Sequence, residues 1–348
     1  MTRKKPSFSD RLAEHQVDWR ATHVACQESG CLNRKPYPWI LPRDHWEEGL
    51  WPGIRSDSAH PISDYLHRNS IHRHRDVNNL KSSWVLCANL YYPFGLTPEG
   101  RELLAGFLQV HVAREVCSVD AVELEYAEEG QLHPSNLLGE EGGARGTGQT
   151  SPDVSFLING RHGLILTENK LAEHSFYRCS ARRTTNKDGR PGNLAPSRCD
   201  NITEIIQAPN RQCHQVAWGR KYWDQLLPVV NQTAMAGLKC CPAARAGYQL
   251  FRQQALAEGI AASKKYDLVV SAVAFDARND VLLKCLRTTG LADFARDWST
   301  LFKGKARFTA FTHQRWVAWV ASNDVQNTWK DWLTFVEGRY GYHAASQG

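Results

Sequence analysis

Apolar residues recur with helical or strand-like spacing along most of the chain after residue 81. A Thr-Pro pair opens a predicted helix over residues 98–114, and residues 121–126 alternate between polar and apolar positions as in a strand. A helix is predicted over residues 248–262, followed by an apolar strand over residues 267–275 that suits the interior of a sheet. Weaker patterns predict helices over 82–90, 290–302 and 316–332 and an extended segment over 307–311. The pattern therefore indicates a chain of mixed helices and strands.

The strongest short-range signal is that of a β-hairpin. Residues 153–158 and 163–170 are strand-like, and the turn pair Asn159-Gly160 lies between them. Side chains along a strand alternate between the two faces of a sheet. The length of the connecting loop therefore decides which side chains of the two strands share a face.

An even loop length places Asp153, Glu168 and Lys170 on one face. A two-residue loop pairs Asp153 with Leu166, which is a diagonal neighbour of Glu168. A four-residue loop, 159–162, places Asp153 directly opposite Glu168. A three-residue loop would turn Asp153 to the other face unless a bulge restored it.

Two carboxylates and an ammonium on one face are costly to bury, but they are the groups that surround a hard cation. Asp153, Glu168 and the main-chain carbonyl of Asn169 are candidate ligands for Mg²⁺, for which Mn²⁺ can substitute. Lys170 would lie beside a metal-bound water, where it can orient or help to deprotonate a nucleophile and offset charge on a phosphorane. This is the chemistry of phosphodiester cleavage. The alternative is a surface hairpin with an ordinary Glu-Lys pair.

Pro152-Asp153 followed by Glu168-Asn169-Lys170 on a hairpin resembles the PD-(D/E)xK nuclease superfamily. The surrounding residues 82–90 and 248–253 also resemble a group of bacterial restriction endonucleases, and together the resemblances cover roughly residues 81–320. The resemblance to the superfamily implies an α/β fold with a restriction-endonuclease-like core of helix, three strands, helix and strand, whose mixed central sheet is flanked by helices. It also implies that Asp153 and Glu168 are metal ligands and that Lys170 is the catalytic lysine.

The sequence does not settle the position of two features that many members of the superfamily share. Many members carry a Gln with a Tyr four residues later on the helix after the motif, but neither Gln249 nor Gln253 has such a Tyr. A further acid often comes from the first helix or the first strand. Four glutamates compete for that role and for a place at the metal, with Glu125 favoured: Glu102, Glu115, Glu123 and Glu125.

Residues 1–80 are predicted to form a basic, Pro- and Trp-rich N-terminal extension, outside a nuclease domain of residues 81–348. Closely spaced prolines oppose long helices and central strands, so we expect an irregular segment held against a neighbour by its tryptophans. His72-Arg73-His74 lies among arginines, which favours a solvated basic face over a metal site. The glycine-rich residues 129–151 are predicted to form a flexible loop, and they match no phosphate-binding fingerprint.

A basic, Cys-rich insertion is predicted at about residues 173–246. Within it, residues 173–222 hold nine Lys or Arg against four Asp or Glu, a net charge of +5 in a chain whose formal net charge is +6. Positive charge beside the catalytic strand suits the backbone of DNA. The candidate nucleic-acid-binding residues are Arg178, Arg182, Arg183, Lys187, Arg190, Arg220 and Lys221. Interleaved aromatic residues are candidates for base stacking, with a place in the core as the alternative: Phe176, Tyr177, Trp218, Tyr222 and Trp223.

Half of the ten cysteines also lie in this insertion, between residues 179 and 241. Irregular polar chain of this kind lacks an obvious core, and a structural Zn²⁺ or an iron–sulfur cluster would supply one. No spacing among these cysteines is Cys-x-x-Cys, so the sequence gives a poor signal for such a centre. The candidate ligands are Cys179, Cys199, Cys213 and Cys241.

Composition narrows the remaining alternatives. Charged residues make up 22% of the chain and hydrophobic residues 42%, which excludes a disordered protein. No apolar run approaches the ~20 residues of a membrane helix, and without an export signal a cytoplasmic protein with reduced thiols is expected. The sequence thus predicts a Mg²⁺-dependent DNA endonuclease for restriction, phage defence or DNA processing, as a homodimer if it cuts both strands. The alternatives are an inactive nucleic-acid-binding protein with the same fold and a Cys-His hydrolase, for which no local pattern speaks.

Overall fold

The computed structural model describes residues 6–186 and 188–343. Its strands are β1 Cys31–Leu32, β2 Lys35–Pro36, β3 Val119–Leu124, β4 Val154–Ile158, β5 Gly163–Lys170, β6 Leu268–Phe275 and β7 Arg307–Thr312. β1 and β2 form a small sheet of their own, and the other five form one central sheet in the order β3-β4-β5-β6-β7. The pairs β3-β4 and β4-β5 are antiparallel, whereas β5-β6 and β6-β7 are parallel. The expected mixed sheet of an α/β protein is confirmed.

Helices lie on both faces of this sheet. Their bounds are α1 Phe8–His23, α2 Ile62–Arg68, α3 Ser83–Gly95, α4 Pro98–His111, α5 Pro134–Leu138, α6 Ile202–Gln207, α7 Pro209–Gln212, α8 His214–Ala217, α9 Tyr222–Leu226, α10 Gln232–Ala236, α11 Pro242–Arg245, α12 Tyr248–Ala262, α13 Asp280–Leu283, α14 Phe294–Asp297, α15 His313–Asn323 and α16 Lys330–Tyr340. Among the described residues, none of these helices combines the length and the apolar character needed to cross a membrane.

The pleat of the sheet divides the hydrophobic core into two layers. Ile165 of β5 belongs to the layer that contains α3, α15 and α16, while Leu166, the next residue, belongs to the layer that contains α12 and the insertion. β5 is buried along its whole length, as expected for a strand covered by helices on both sides. The charged residues at its end therefore enter a protein interior.

The order α4, β3, β4, β5, α12, β6 is the order of elements that the sequence predicts, although some bounds differ. The predicted helix over 316–332 is two helices, α15 and α16, because Asp324 accepts hydrogen bonds from the main-chain amides of Thr328 and Trp329 and stabilises a turn between them. The predicted helix over 290–302 is only the single turn of α14 with a 3₁₀ segment after it.

The N-terminal extension is less irregular than its prolines suggest. α1 precedes them and begins at a capping box in which Ser7 and Asp10 bond each other's main-chain amides, a local signal that the prolines obscured. Phe8, Leu12 and Trp46 lie in the same hydrophobic layer as α3 and the sheet. Residues of the extension are thus part of the core, and the division at residue 80 stays a prediction.

The insertion adds buried residues to the hydrophobic layer that it shares with α12 and the sheet, so the expectation that it lacks a core was wrong. Apolar side chains of α6, α9, α10 and α11 point into this layer, whereas α7 has no buried residue and α8 buries only Gln215. Ile202, Ile205, Tyr222, Trp223 and Met235 are buried there. The glycine-rich residues 129–151 likewise include the short helix α5.

Candidate active site

The hairpin has a four-residue loop. Ile158 pairs with Gly163 and Val154 pairs with Thr167, so the same register places Asp153 opposite Glu168. Positive φ angles at Asn159, Gly160 and Arg161 allow the chain to reverse within that loop. Of the two even loop lengths that the sequence left open, the structure has the longer.

Asp153 is held by both neighbouring strands. The main-chain amide of Asn169 donates a 2.7 Å hydrogen bond to Oδ2 of Asp153, and the amide of Glu125 donates one of 3.1 Å to the Asp153 carbonyl. Glu125 directly follows β3 and has a φ of 48°, which ends the strand. Glu125, Asp153 and Glu168 therefore lie side by side on three adjacent strands.

Glu168 is fixed by two donors at a single oxygen. Lys170 Nζ and Gln249 Nε2 each donate a 2.7 Å hydrogen bond to its Oε1. Within the described residues, both hydrogen bonds of this carboxylate end on Oε1. Oε2 is therefore the atom left for a further ligand.

Burial and mutual repulsion shape the charge of this cluster. Burial, and then the charges of Asp153 and Glu168, raise the pKa of Glu125 well above its usual value. Burial and Glu168 also raise the pKa of Asp153, although Lys170 and the Asn169 amide oppose this. For Lys170, burial alone would lower the pKa, but the surrounding carboxylates outweigh it and raise the pKa instead. The site has an excess of buried negative charge.

Neighbouring helices fix the backbone of the motif. Ring nitrogen Nε2 of His313 lies 3.1 Å from the Lys170 carbonyl, and burial lowers the pKa of His313 to about 4, so its ring is neutral at physiological pH. The side-chain amide of Asn169 donates a 2.6 Å hydrogen bond to the carbonyl of Ser83. The end of β5 is thereby tied to α3 and to α15.

The three carboxylates open into a cavity of about 160 Å³. Its walls come from the three strand ends, the glycine-rich segment, α12 and the N-terminal extension, through Glu125, Asp153, Glu168, His74, Gly146, Gln149, Thr150, Ser151, Gln249 and Arg252. His74, interpreted from sequence as part of a solvated basic face, has an exposed side chain at the rim of this cavity. Sequence reasoning gave no sign that the extension reaches the motif.

Arg252 and Gln149 bring polar groups to the wall facing the carboxylates. Arg252 Nε donates hydrogen bonds of 3.1 Å to Glu140 and 2.9 Å to Thr150 Oγ1. Among the described residues, the two Nη groups of this guanidinium donate no hydrogen bond. Both side-chain polar atoms of Gln149 are buried without a hydrogen-bond partner in the described chain. A buried polar group of this kind needs a partner, and the cavity is where one would bind.

The competing glutamates are elsewhere. Glu115 forms an ion pair of 2.8 Å with Arg307, and Glu123 accepts 3.0 Å hydrogen bonds from Tyr65 and Arg145. Glu102 lines a different surface cavity. Among the four candidates, Glu125 is the acid that the structure brings to Asp153 and Glu168.

The predicted nucleic-acid-binding residues divide into two groups. Arg190 and Arg220 pair with Glu141 and so join the insertion to the glycine-rich segment, whereas Arg182 lies 4.0 Å from Asp200 within the insertion. Arg178, Arg183 and Lys221 have exposed side chains. Lys187 lies outside the described residues.

Among the predicted stacking residues, Tyr177 is exposed and Trp218 is half-buried, with its indole N–H donating a 3.0 Å hydrogen bond to the carbonyl of Pro191. Phe176, Tyr222 and Trp223 are buried, which agrees with the alternative that they belong to the core. Tyr177 is 53% exposed, has a φ of 56°, and its ring centre lies 5.7 Å from Lys170 Nζ. An exposed aromatic ring in a strained conformation beside the motif is typical of a functional position.

The cysteines that the sequence proposed as metal ligands line one small internal cavity in the insertion. Across residues 6–186 and 188–343, no group of three or more His, Cys, Asp and Glu side chains is placed so that it could hold a metal ion. In the described residues, neither the cysteine cavity nor the carboxylate cavity therefore has its side chains in a metal-binding arrangement.

The mixed sheet flanked by helices, with an acidic cluster at its strand ends, is compatible with a restriction-endonuclease-like fold. The chain belongs to the family described as Restriction Endonuclease associating with ARP, whose model matches residues 12–341. The match includes most of the N-terminal extension and all of the insertion. No curated protein and no solved structure matches the chain.

Proposed function

We propose that this protein is a divalent-cation-dependent endonuclease that hydrolyses phosphodiester bonds of DNA. One observation carries the proposal: Glu125, Asp153 and Glu168, from three neighbouring strands, meet at one cavity in which Lys170 is the adjacent ammonium. Membership of a restriction endonuclease family supports the nuclease class. Restriction, phage defence or DNA processing is the role we assign to this activity.

The oxygen ligands at the cavity have the chemistry that a hard cation would need. All three acids offer oxygen ligands, and burial together with their mutual repulsion raises the pKa of Glu125 and of Asp153. A divalent cation would offset this repulsion, which one ammonium does not. Asp153, Glu168 and Glu125, with the carbonyl of Asn169, would hold Mg²⁺ or Mn²⁺.

When bound, the cation supplies a Lewis acid for the phosphate and lowers the pKa of an attacking water. Glu168 holds Lys170 in place through Oε1, and Gln249 fixes the same oxygen from the other side. Lys170 then presents a positive charge to the reacting phosphate and orients the water. Asp153 is kept in register by the Asn169 amide.

The opposite wall of the cavity is suited to hold the substrate. The Nη groups of Arg252 carry positive charge next to the carboxylates, and phosphate oxygens are favoured partners of a guanidinium. Gln149 offers a donor and an acceptor that the described chain leaves unpaired. We assign Arg252 to a DNA phosphate and Gln149 to a neighbouring nucleotide.

The exposed groups beside the cavity extend this surface. Arg178 and Arg183 would contact the DNA backbone, and Tyr177 would stack on a base or sugar next to the cleaved phosphate. A homodimer would place two such sites on the two strands of a duplex.

Cleavage of plasmid DNA by the purified full-length protein tests the proposal, with Mg²⁺, with Mn²⁺ and with EDTA. Asp153→Asn and Lys170→Met keep the size of each side chain and remove its charge. Asp267→Asn is the matched control, because Asp267 is exposed at the opposite end of the sheet, beside the hairpin loop.

We expect nicked and linear products with Mg²⁺, none with EDTA, and a loss of about 10²-fold or more in both motif variants. Asp267→Asn should cut like the wild type. Equal cutting by all four proteins would mean a contaminating nuclease and overturn the proposal. DNA binding without cutting by the wild type would instead indicate an inactive nucleic-acid-binding protein.

A further inference from the structure

Four cysteines of the insertion share one enclosed cavity on the far side of α12 from the sheet. Cys179, Cys199, Cys213 and Cys241 all line it, and all four are free thiols. The cavity measures about 20 Å³, which is room for about one water by the same measure. Its other walls are largely apolar, with Ile205, Trp223 and Phe251 among them.

Hydrogen bonds join these cysteines although they are far apart in sequence. The amide of Cys241 donates a 2.9 Å bond to the carbonyl of Cys199, and the amide of Cys179 donates one of 2.8 Å to the carbonyl of Ala243. The amide of Cys213 bonds only Pro209 in its own turn, but Gln215, two residues later, donates to the sulfur of Cys179. Main-chain bonds thus connect three of the four segments, and a side chain connects the fourth.

Ordinary core packing does not account for this arrangement. Cys179 and Cys213 are only partly buried, and Gln215 donates a 3.1 Å hydrogen bond from Nε2 to the sulfur of Cys179. Oε1 of Gln215 is buried without a partner in the described chain. A cavity that served only apolar packing would need neither four thiols nor an unpaired amide oxygen.

We propose that Cys179, Cys199, Cys213 and Cys241 bind a soft metal centre through four thiolates. A zinc ion and an iron–sulfur cluster share this ligand chemistry. The four thiols lose their protons to solvent on binding, and their side chains rotate inward around the centre. Binding ties together the segments that begin near Cys179, Cys199, Cys213 and Cys241.

The centre would also stabilise the first turn of α12. Gln215 bonds the sulfur of Cys179 and, at 2.8 Å, the hydroxyl of Tyr248. Tyr248 is the residue before Gln249, which bonds Glu168. This connection runs from the insertion to the carboxylate cavity, but metal binding by the cysteines does not depend on nuclease activity.

Metal analysis of the full-length protein, purified anaerobically without chelator, tests the proposal. Cys241→Ser is compared with Cys240→Ser, since these residues are adjacent in sequence and both buried, but only Cys241 lines the cavity. Zinc, iron and acid-labile sulfide are measured per chain, with visible absorbance and the melting temperature.

We expect either about one equivalent of zinc in a colourless protein or iron with sulfide in a coloured one. Cys241→Ser should lose the metal and melt at a lower temperature, while Cys240→Ser keeps it. A folded wild type with neither zinc nor iron overturns the proposal, even if Cys241→Ser fails to fold. Equal metal content in both variants overturns it as well. None of these measurements depends on cleavage of DNA.

Discussion

Gln249 donates a 2.7 Å hydrogen bond to Oε1 of Glu168 from a position 81 residues further along the chain. Lys170 donates to the same oxygen, so the carboxylate is held from two sides. Gln249 lacks the Tyr four residues later that would have marked it in the sequence. Its place at the first turn of α12 brings it to the motif.

Replacement of Gln249 by Leu should lower the rate of DNA cleavage by about 10–100-fold, because Glu168 loses a partner that orients it. The concentration of Mg²⁺ needed for half-maximal rate should rise at the same time. Initial rates over a Mg²⁺ titration measure both effects. Gln326→Leu, at an exposed position on another surface, is the control. An unchanged rate and Mg²⁺ dependence would contradict an orienting role.

Replacement of Glu125 by Gln should abolish cleavage and yet stabilise the protein in EDTA at mildly alkaline pH. Burial and the neighbouring acids raise the pKa of Glu125 in the folded protein, so the folded state keeps a proton that the unfolded chain has released. Stability therefore falls as pH rises above the ordinary Glu value of about 4.3, up to the raised pKa. Glutamine has no carboxyl group to titrate, so Glu125→Gln removes this contribution to the pH dependence of stability.

Melting temperatures in EDTA between about pH 5 and about pH 8 measure this effect. The wild type should lose more of its melting temperature over this range than Glu125→Gln, by roughly 2 °C or more. Glu123→Gln is the matched control, because Glu123 bonds Arg145 and Tyr65, and its loss should destabilise the protein. Parallel pH profiles for wild type and Glu125→Gln would argue against a raised pKa.

Replacement of Gly146 by Ala should impair both stability and cleavage. Gly146 has a φ of 84°, and an added Cβ would lie 2.9 Å from the carbonyl oxygen of His72 and 3.3 Å from Glu125 Cδ. The positive φ alone costs about 1–3 kcal/mol in a non-glycine residue. The clash adds to this and displaces the wall of the carboxylate cavity.

Gly130→Ala separates these two effects. Gly130 has a φ of 61°, but nothing lies within 4 Å of an added Cβ. Chemical denaturation and cleavage rates should show a loss of stability in both variants, with the larger loss and the loss of cleavage confined to Gly146→Ala. Equal behaviour of the two variants would show that the contact with His72 and Glu125 does not matter.

Replacement of Arg178 or Arg183 by Gln should weaken DNA binding in a salt-dependent manner. Each exposed arginine that contacts a phosphate adds about 1 to the slope of log affinity against log salt, so each variant should lower that slope by about 1. Arg190→Gln removes the same charge, but Arg190 is engaged by Glu141 and Trp218. Its slope should stay close to that of the wild type. Equal slopes for all three variants would place the DNA elsewhere.

Local patterns in the sequence predicted the central hairpin, its end at Lys170, and the shared face of Asp153, Glu168 and Lys170. These features follow from side-chain alternation along a strand, which depends on neighbouring residues alone, and the shared face also needs the even loop length that the structure has. α12 was predicted with its observed bounds for a similar reason, since helical periodicity is also local. The family match confirms the resemblance that these elements carried.

The tertiary structure decided which distant residues join the motif. It placed Glu125, out of four glutamates, beside Asp153, because β3 pairs with β4 and its end turns at a positive φ. It brought His74 and Gln249 to the same cavity. It also engaged Arg190 and Arg220 of the insertion in ion pairs with Glu141 of the glycine-rich segment, where the sequence showed only positive charge.

The sequence by itself thus determined the hairpin and the residue types of its candidate catalytic motif, since both depend on spacing over a few residues. The loop length, the further acid and the meeting of four cysteines depend on contacts between segments tens of residues apart. Such contacts arise from the packing of whole helices and strands around a shared core, for which a local pattern carries no signal.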